Sequence, residues 1–119
     1  MEAALGTHMI LDIWGAVKSY PFKDMDGASA ALKNAAEYSG ATVITERWHH
    51  FGENCGYTGV IILAESHISV HTWPERGYAA VDVFMCGDKA EPSKALQKIL
   101  DFYKYVDYTI NMIARGTER

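Results

Sequence analysis

Apolar residues recur at every second position along most of this chain and at helical spacing in only two stretches, so the fold must be built mainly of half-buried strands. Met9, Leu11 and Ile13 alternate with His8, Ile10, Asp12 and Trp14, which predicts a first strand. Pro21 and the Lys23–Gly27 stretch break it. Ala28, Ala31, Leu32, Ala35 and Ala36 then follow a helical period, with Asp26 as expected N-cap and Gly40 as C′ residue, giving a helix from Gly27 to Ser39. Strands are expected over Ala41–Phe51, Thr58–Ala64, His67–Trp73 and Tyr78–Met85, with turns at Gly52–Gly56 and at Pro74 to Gly77. Pro92 suits the first position of a second helix capped by Glu91, with Ala95, Leu96, Ile99, Phe102, Tyr103 and Val106 as its apolar stripe. Tyr108, Ile110 and Met112 alternate in a last strand that ends before Arg115–Gly116.

The resulting order, β-α-β-β-β-β-α-β, has the α+β pattern: a two-layer sandwich in which two helices cover one face of a largely antiparallel sheet. At 119 residues it is a single domain, 1–119. Two layers leave one sheet face bare. Trp48, Trp73 and the strand tyrosines suggest that a second copy covers it, giving a homodimer of four layers, αββα. A net charge of -4 argues against a nucleic-acid partner. The longest strongly apolar run, Val60–Ala64, is far too short for a membrane helix, and Met1–Gly6 does not read as a signal peptide. Cys55 and Cys86 are therefore expected as free thiols in a reducing cytoplasm.

Reactive side chains concentrate between Glu65 and Glu75, with Cys86 after the next strand. A metal site is one reading. His67 and His71 would share a helix face, but on a strand they stand roughly 13 Å apart, too far for one ion, so no metal is expected. A Ser–His or Cys–His hydrolase pair is a second reading, and no nucleophile elbow supports it. On a regular strand Ser66 and His67 also face opposite ways, which leaves His67 as packing or as a functional group. The third reading is self-processing at Glu65–Ser66.

Residues Glu65 through Gly87, ESHISVHTWPERGYAAVDVFMCG, resemble without a gap the signature of the prokaryotic S-adenosylmethionine decarboxylases. The resemblance extends to Leu5-Gly6-x-His8, Ser39-Gly40-Ala41-Thr42 and Arg115-Gly116, and so spans nearly the whole chain. It implies a pyruvoyl enzyme. The Ser66 hydroxyl attacks the Glu65 carbonyl, turning the amide into an ester. Loss of the α-proton of residue 66, with His71 as the processing base, then expels the Glu65 carboxylate and leaves dehydroalanine, which water hydrolyses, with release of ammonia, to a pyruvoyl group on a 66–119 α chain beside a 1–65 β chain. That ketone would condense with a small-molecule substrate's amine as a Schiff base and act as electron sink while CO₂ departs. The resemblance assigns reprotonation to Cys86 and implies decarboxylated S-adenosylmethionine, an aminopropyl donor for spermidine and polyamine synthesis, as product. It also places Phe51 on the adenine, with Trp73 and Glu75 beside the substrate. Packing at a dimer face is the competing reading of Phe51 and Trp73. Cys55, His49 and His50 are expected at the surface or an edge without a role.

Two departures from the family pattern sit together. Thr58 stands where the family has a serine that supports processing, keeping the hydroxyl but restricting its rotamer. The preceding segment, Phe51 to Gly59, is one residue longer, lacks the usual proline and adds Glu53. A carboxylate there suits a guanidinium or second ammonium, so an arginine or ornithine decarboxylase on the same fold is the alternative. An unprocessed binding module is a third.

Overall fold

The computed structural model describes residues 4–87 and 89–117. One six-stranded sheet contains β1 (Gly6–Trp14), β2 (Val43–His50), β3 (Tyr57–Leu63), β4 (Ser66–Trp73), β5 (Tyr78–Cys86) and β6 (Asp107–Arg115). Its order is β2-β3-β4-β5-β1-β6, and every neighbouring pair is antiparallel. Helices α1 (Met25–Tyr38) and α2 (Pro92–Tyr103) pack on one face. The two-layer α+β architecture is therefore the one that the alternation implies. Neither helix is long and apolar enough to cross a membrane.

Period-two burial produces this packing. Met9, Leu11 and Ile13 of β1, Ile61 of β3, Ile68 of β4 and Val83 of β5 all lie at 0% exposure under the helices. Burying a side chain of this size stabilises by about 1.5–3 kcal/mol relative to leaving it in water. Their sequence neighbours point to the uncovered face.

Four placements differ from expectation, the first being Val106, which lies beyond the end of α2 at Tyr103 and is exposed. Helix α1 is capped by Asp24, whose Oδ1 accepts from the Gly27 N–H at 2.9 Å, rather than by Asp26. Asp26 falls in the first turn, where its charge still complements the helix N-terminus. Trp48 lies on the helix side of the sheet, not the bare side. It faces Gly59 so closely that a Cβ there would come within 2.2 Å of its ring, so glycine is required. Tyr57 likewise points inward and is fully buried. Only part of the aromatic content assigned to the bare face is there.

Buried polar groups tie the sheet to its cover. The Tyr57 hydroxyl meets Tyr103 of α2 at 2.8 Å and donates to Pro21 O at 3.0 Å. Burial pushes both phenols well above their ordinary range. Thr72, 2% exposed, accepts from Tyr57 N at 3.0 Å and donates to Phe22 O at 2.8 Å, which fixes β4 between His71 and Trp73.

Glu46 on β2 accepts from Ser29 at 2.5 Å, Lys33 at 2.7 Å and Trp48 Nε1 at 2.7 Å, joining α1 to the sheet. The Lys33 and Ser29 hydrogen bonds hold its carboxyl at about 2, below the ordinary 4.5. A depressed carboxyl contributes stability that is present above about pH 4.5 and is lost as the pH falls through about 2. In urea melts across that window, the stability gap between wild type and Glu46→Gln should close as the pH falls. A gap that stays constant with pH would contradict this coupling.

Candidate active site

The expected cleavage site, Glu65–Ser66, lies at the tight β3–β4 turn formed by Ala64 and Glu65. Ser66, the first residue of β4, adopts φ 145°, a conformation that costs a side-chain-bearing residue on the order of 1–3 kcal/mol. Neighbouring backbone holds it there. Ala64 N donates to Thr42 O at 2.8 Å, and Thr42 N donates back to Glu65 Oε1 at 2.8 Å. On the opposite side, the Glu65 carbonyl oxygen accepts from Cys86 N at 2.9 Å and from the Cys86 thiol at 2.9 Å. Two donors thus sit on the oxygen that becomes negative when a nucleophile adds to this carbonyl. The hydroxyl expected to attack belongs to the next residue, Ser66. Ser66 Oγ lies 3.2 Å from His67 Nδ1, a contact that a regular strand would not permit and that the backbone of Ser66 creates.

The far end of β4 holds a second group of residues. His71 is the register partner of Thr58 on the bare face, and Thr58 Oγ1 donates to Val70 O at 3.2 Å. An aromatic series runs outward from His71, with ring centroids 5.6 Å away in Phe51 and 4.1 Å away in Trp73. Trp73 stacks on Tyr78 at 5.1 Å, and Tyr78 on Trp14 at 4.4 Å. Burial, then the hydrogen bond to Asp12, push the Tyr78 phenol up to about 12. A cavity of about 480 Å³ opens beside this series, lined by Phe51, His71, Trp73 and Glu75 together with Asn54 and Cys55. Glu75 belongs to a 3-10 turn, Pro74–Arg76, closed by Gly77 at φ 61°. A Cβ at Gly77 would come within 2.5 Å of Gly15 O, so only glycine completes this turn.

The structure therefore brings the expected residues together as two groups. Glu65, Ser66 and Cys86 form one; Thr58, His71, Phe51, Trp73 and Glu75 form the other. Five residue steps of strand separate Ser66 from His71, roughly 16 Å at the rise of an extended chain. Glu53 does not line the cavity. Sequence reasoning gave Cys55 no role, and it did not single out Asn54; both line the cavity because the longer loop folds back over the strand end. It also missed the Thr42 tether and the Ser66–His67 contact. The stretch Ser39-Gly40-Ala41-Thr42 was a signal for the tether. The contact depends on one backbone angle and has no signature. His50, expected at an edge, has its Nε2 3.0 Å from Lys23 O, and His49 stands edge-on to Phe51 at 4.7 Å.

A profile of the S-adenosylmethionine decarboxylases matches residues 7–116. The S-adenosylmethionine decarboxylase proenzyme of Methanococcus aeolicus is 44% identical over 113 residues, covering 95% of each chain. That of Persephonella marina is 40% identical over 117 residues, covering 98% of this chain and 86% of its own. The crystal structure of adenosylmethionine decarboxylase from Aquifex aeolicus VF5 superposes with a TM-score of 0.87 at 32% identity, covering 98% of this chain and 95% of that one. With its turn, sheet order and sequence all in agreement, the chain belongs to the S-adenosylmethionine decarboxylase family.

Proposed function

We propose that this chain is a proenzyme that cuts itself between Glu65 and Ser66 and then decarboxylates S-adenosylmethionine in the cytoplasm, where Cys55 and Cys86 remain free thiols. The observation that carries the reading is the Glu65 carbonyl, which accepts both Cys86 donors while the adjacent Ser66 is held at φ 145°. An ordinary hairpin turn has no use for a thiol aimed at a carbonyl oxygen. The same site suits a pyruvoyl group at residue 66, which would supply the electron sink for loss of CO₂. Cys86 remains beside residue 66 after cleavage, positioned to return a proton to the substrate carbon.

The rest of the site calls for a second copy. His71 and the aromatic cavity lie roughly 16 Å along β4 from Ser66. Two bare faces packed together, with their β4 strands opposed across a two-fold axis near Ser69, bring His71 and Thr58 of the partner subunit to Ser66. The adenosyl end of the substrate then rests in the partner's cavity, its base against Phe51 and Trp73 and its ribose hydroxyls donating to Glu75. The placement of Glu53 outside the cavity favours this substrate over arginine or ornithine.

Wild type should separate on a denaturing gel into fragments of roughly 7 and 6 kDa, and Ser66→Ala should stay whole. Cys86→Ala keeps the backbone N–H but loses the weaker S–H donor, so cleavage should slow by roughly tenfold. Decarboxylation by the cleaved Cys86→Ala fraction should fall by about 100-fold or more. Equal turnover per cleaved chain would remove Cys86 from the reaction. The divided site has its own test, co-expression of Ser66→Ala with His71→Ala. Neither matures alone, but in mixed dimers the His71→Ala chain should be cut, because its Ser66 meets an intact His71. If that chain stays uncut beside any partner, His71 does not act across the interface.

A further inference from the structure

Resting on the self-cleavage reading, we propose that His67 is the catalytic base of the first processing step, accepting the Ser66 hydroxyl proton and returning it to the Ser66 nitrogen. His67 Nδ1 stands 3.2 Å from Ser66 Oγ, within reach of the proton to be moved. Among the described residues it is the one base in contact with that oxygen. The Glu65 carboxylate is engaged by Thr42 N through Oε1, and the Cys86 thiol donates to the Glu65 carbonyl. His71 of the same protomer lies at the other end of the strand, and the partner subunit's His71 is removed in the test below. The His67 ring is held in place by Phe84, its register partner on β5, with centroids 6.0 Å apart at 71°. Its register partner on β3 is Ile62, which brings no charge.

The titratable and charged groups on the surrounding bare face are engaged with one another. Asp82 of β5 is 3.2 Å from His8 Nε2 of β1 and accepts from Ser69 of β4 at 3.3 Å. Arg115 of β6 lies over the Phe84 ring at 5.2 Å, with its guanidinium 3.2 Å from His8 Nδ1. His67 is left with Ser66. In the tautomer protonated at Nε2, its Nδ1 lone pair faces the hydroxyl proton.

The step balances without a co-reactant. As Ser66 Oγ bonds to the Glu65 carbonyl carbon, its proton passes to His67 Nδ1, and negative charge collects on the oxygen held by the two Cys86 donors. Collapse breaks the carbon–nitrogen bond. The departing nitrogen takes the proton back from the imidazolium, leaving an ester and a free amine. His71 of the partner subunit then has only the later removal of the α-proton, so the two histidines serve successive steps.

Hydroxylamine cuts esters, which isolates the first step in a His71→Ala background. Adding His67→Ala should slow the appearance of the cut between residues 65 and 66 by about 100-fold, the low end of what a general base contributes. His67→Asn keeps an acceptor near the Nδ1 position but cannot relay a proton, and it should be as slow. Added imidazole should restore part of the rate to His67→Ala. His67 points away from the core, so the variants should fold, and His67→Ala alone, read by self-cleavage, gives a second measurement. Unchanged rates in His67→Ala, or full recovery in His67→Asn, would overturn the proposal while self-cleavage stands. A wild-type chain that never cleaves would overturn both.

Discussion

Everything in this site depends on the hold exerted on one carbonyl. The Glu65 oxygen accepts from Cys86 N and Cys86 Sγ, each at 2.9 Å, while Thr42 grips the same turn from the other side. Between these anchors Ser66 is kept in a backbone conformation that a free chain would leave at once. The strain is offset by the sheet around it. β5 cannot release the turn without breaking its ladder to β1, and Thr42 is tied down by the end of α1 through Ser39 and Gly40. In the proposed reaction, cleavage between Glu65 and Ser66 would release this strain.

The β4 strand divides the labour by distance. One end carries the bond proposed to be cut; the other carries His71, Thr58 and the aromatic cavity, oriented by the buried Thr72 between His71 and Trp73. A strand is stiff, so the ends cannot meet within one protomer. In the proposed dimer, a two-fold axis would place the end of one strand over the start of the other. In that proposed arrangement the bare face would serve the chemistry as well as the packing.

The alternation of apolar residues made the layers legible in the sequence, and the unbroken signature from Glu65 to Gly87 made the family legible. Strand order was not, because β1 slots between β5 and β6 through contacts far apart in the chain. The helix cap was displaced from Asp26 to Asp24 because several acidic residues compete there and geometry at Gly27 decides between them. Trp48 was misplaced because β2 is an edge strand with a bulge between Val43 and Thr45, which shifts the register on which an in–out assignment depends. The contact between Ser66 and His67 escaped notice for a related reason. Alternation assumes regular backbone, and Ser66 is where it is not regular.

The central claim is that the chain converts its own Ser66 into a ketone. The most direct measurement is the intact mass of the C-terminal fragment after incubation of the purified protein. The account predicts a 66–119 fragment lighter by one ammonia than a fragment beginning with serine, which marks conversion of the amine to a keto group. A fragment with the full serine mass would show hydrolysis in place of pyruvoyl formation, and an intact 119-residue chain would show no processing at all. Either result would contradict the account.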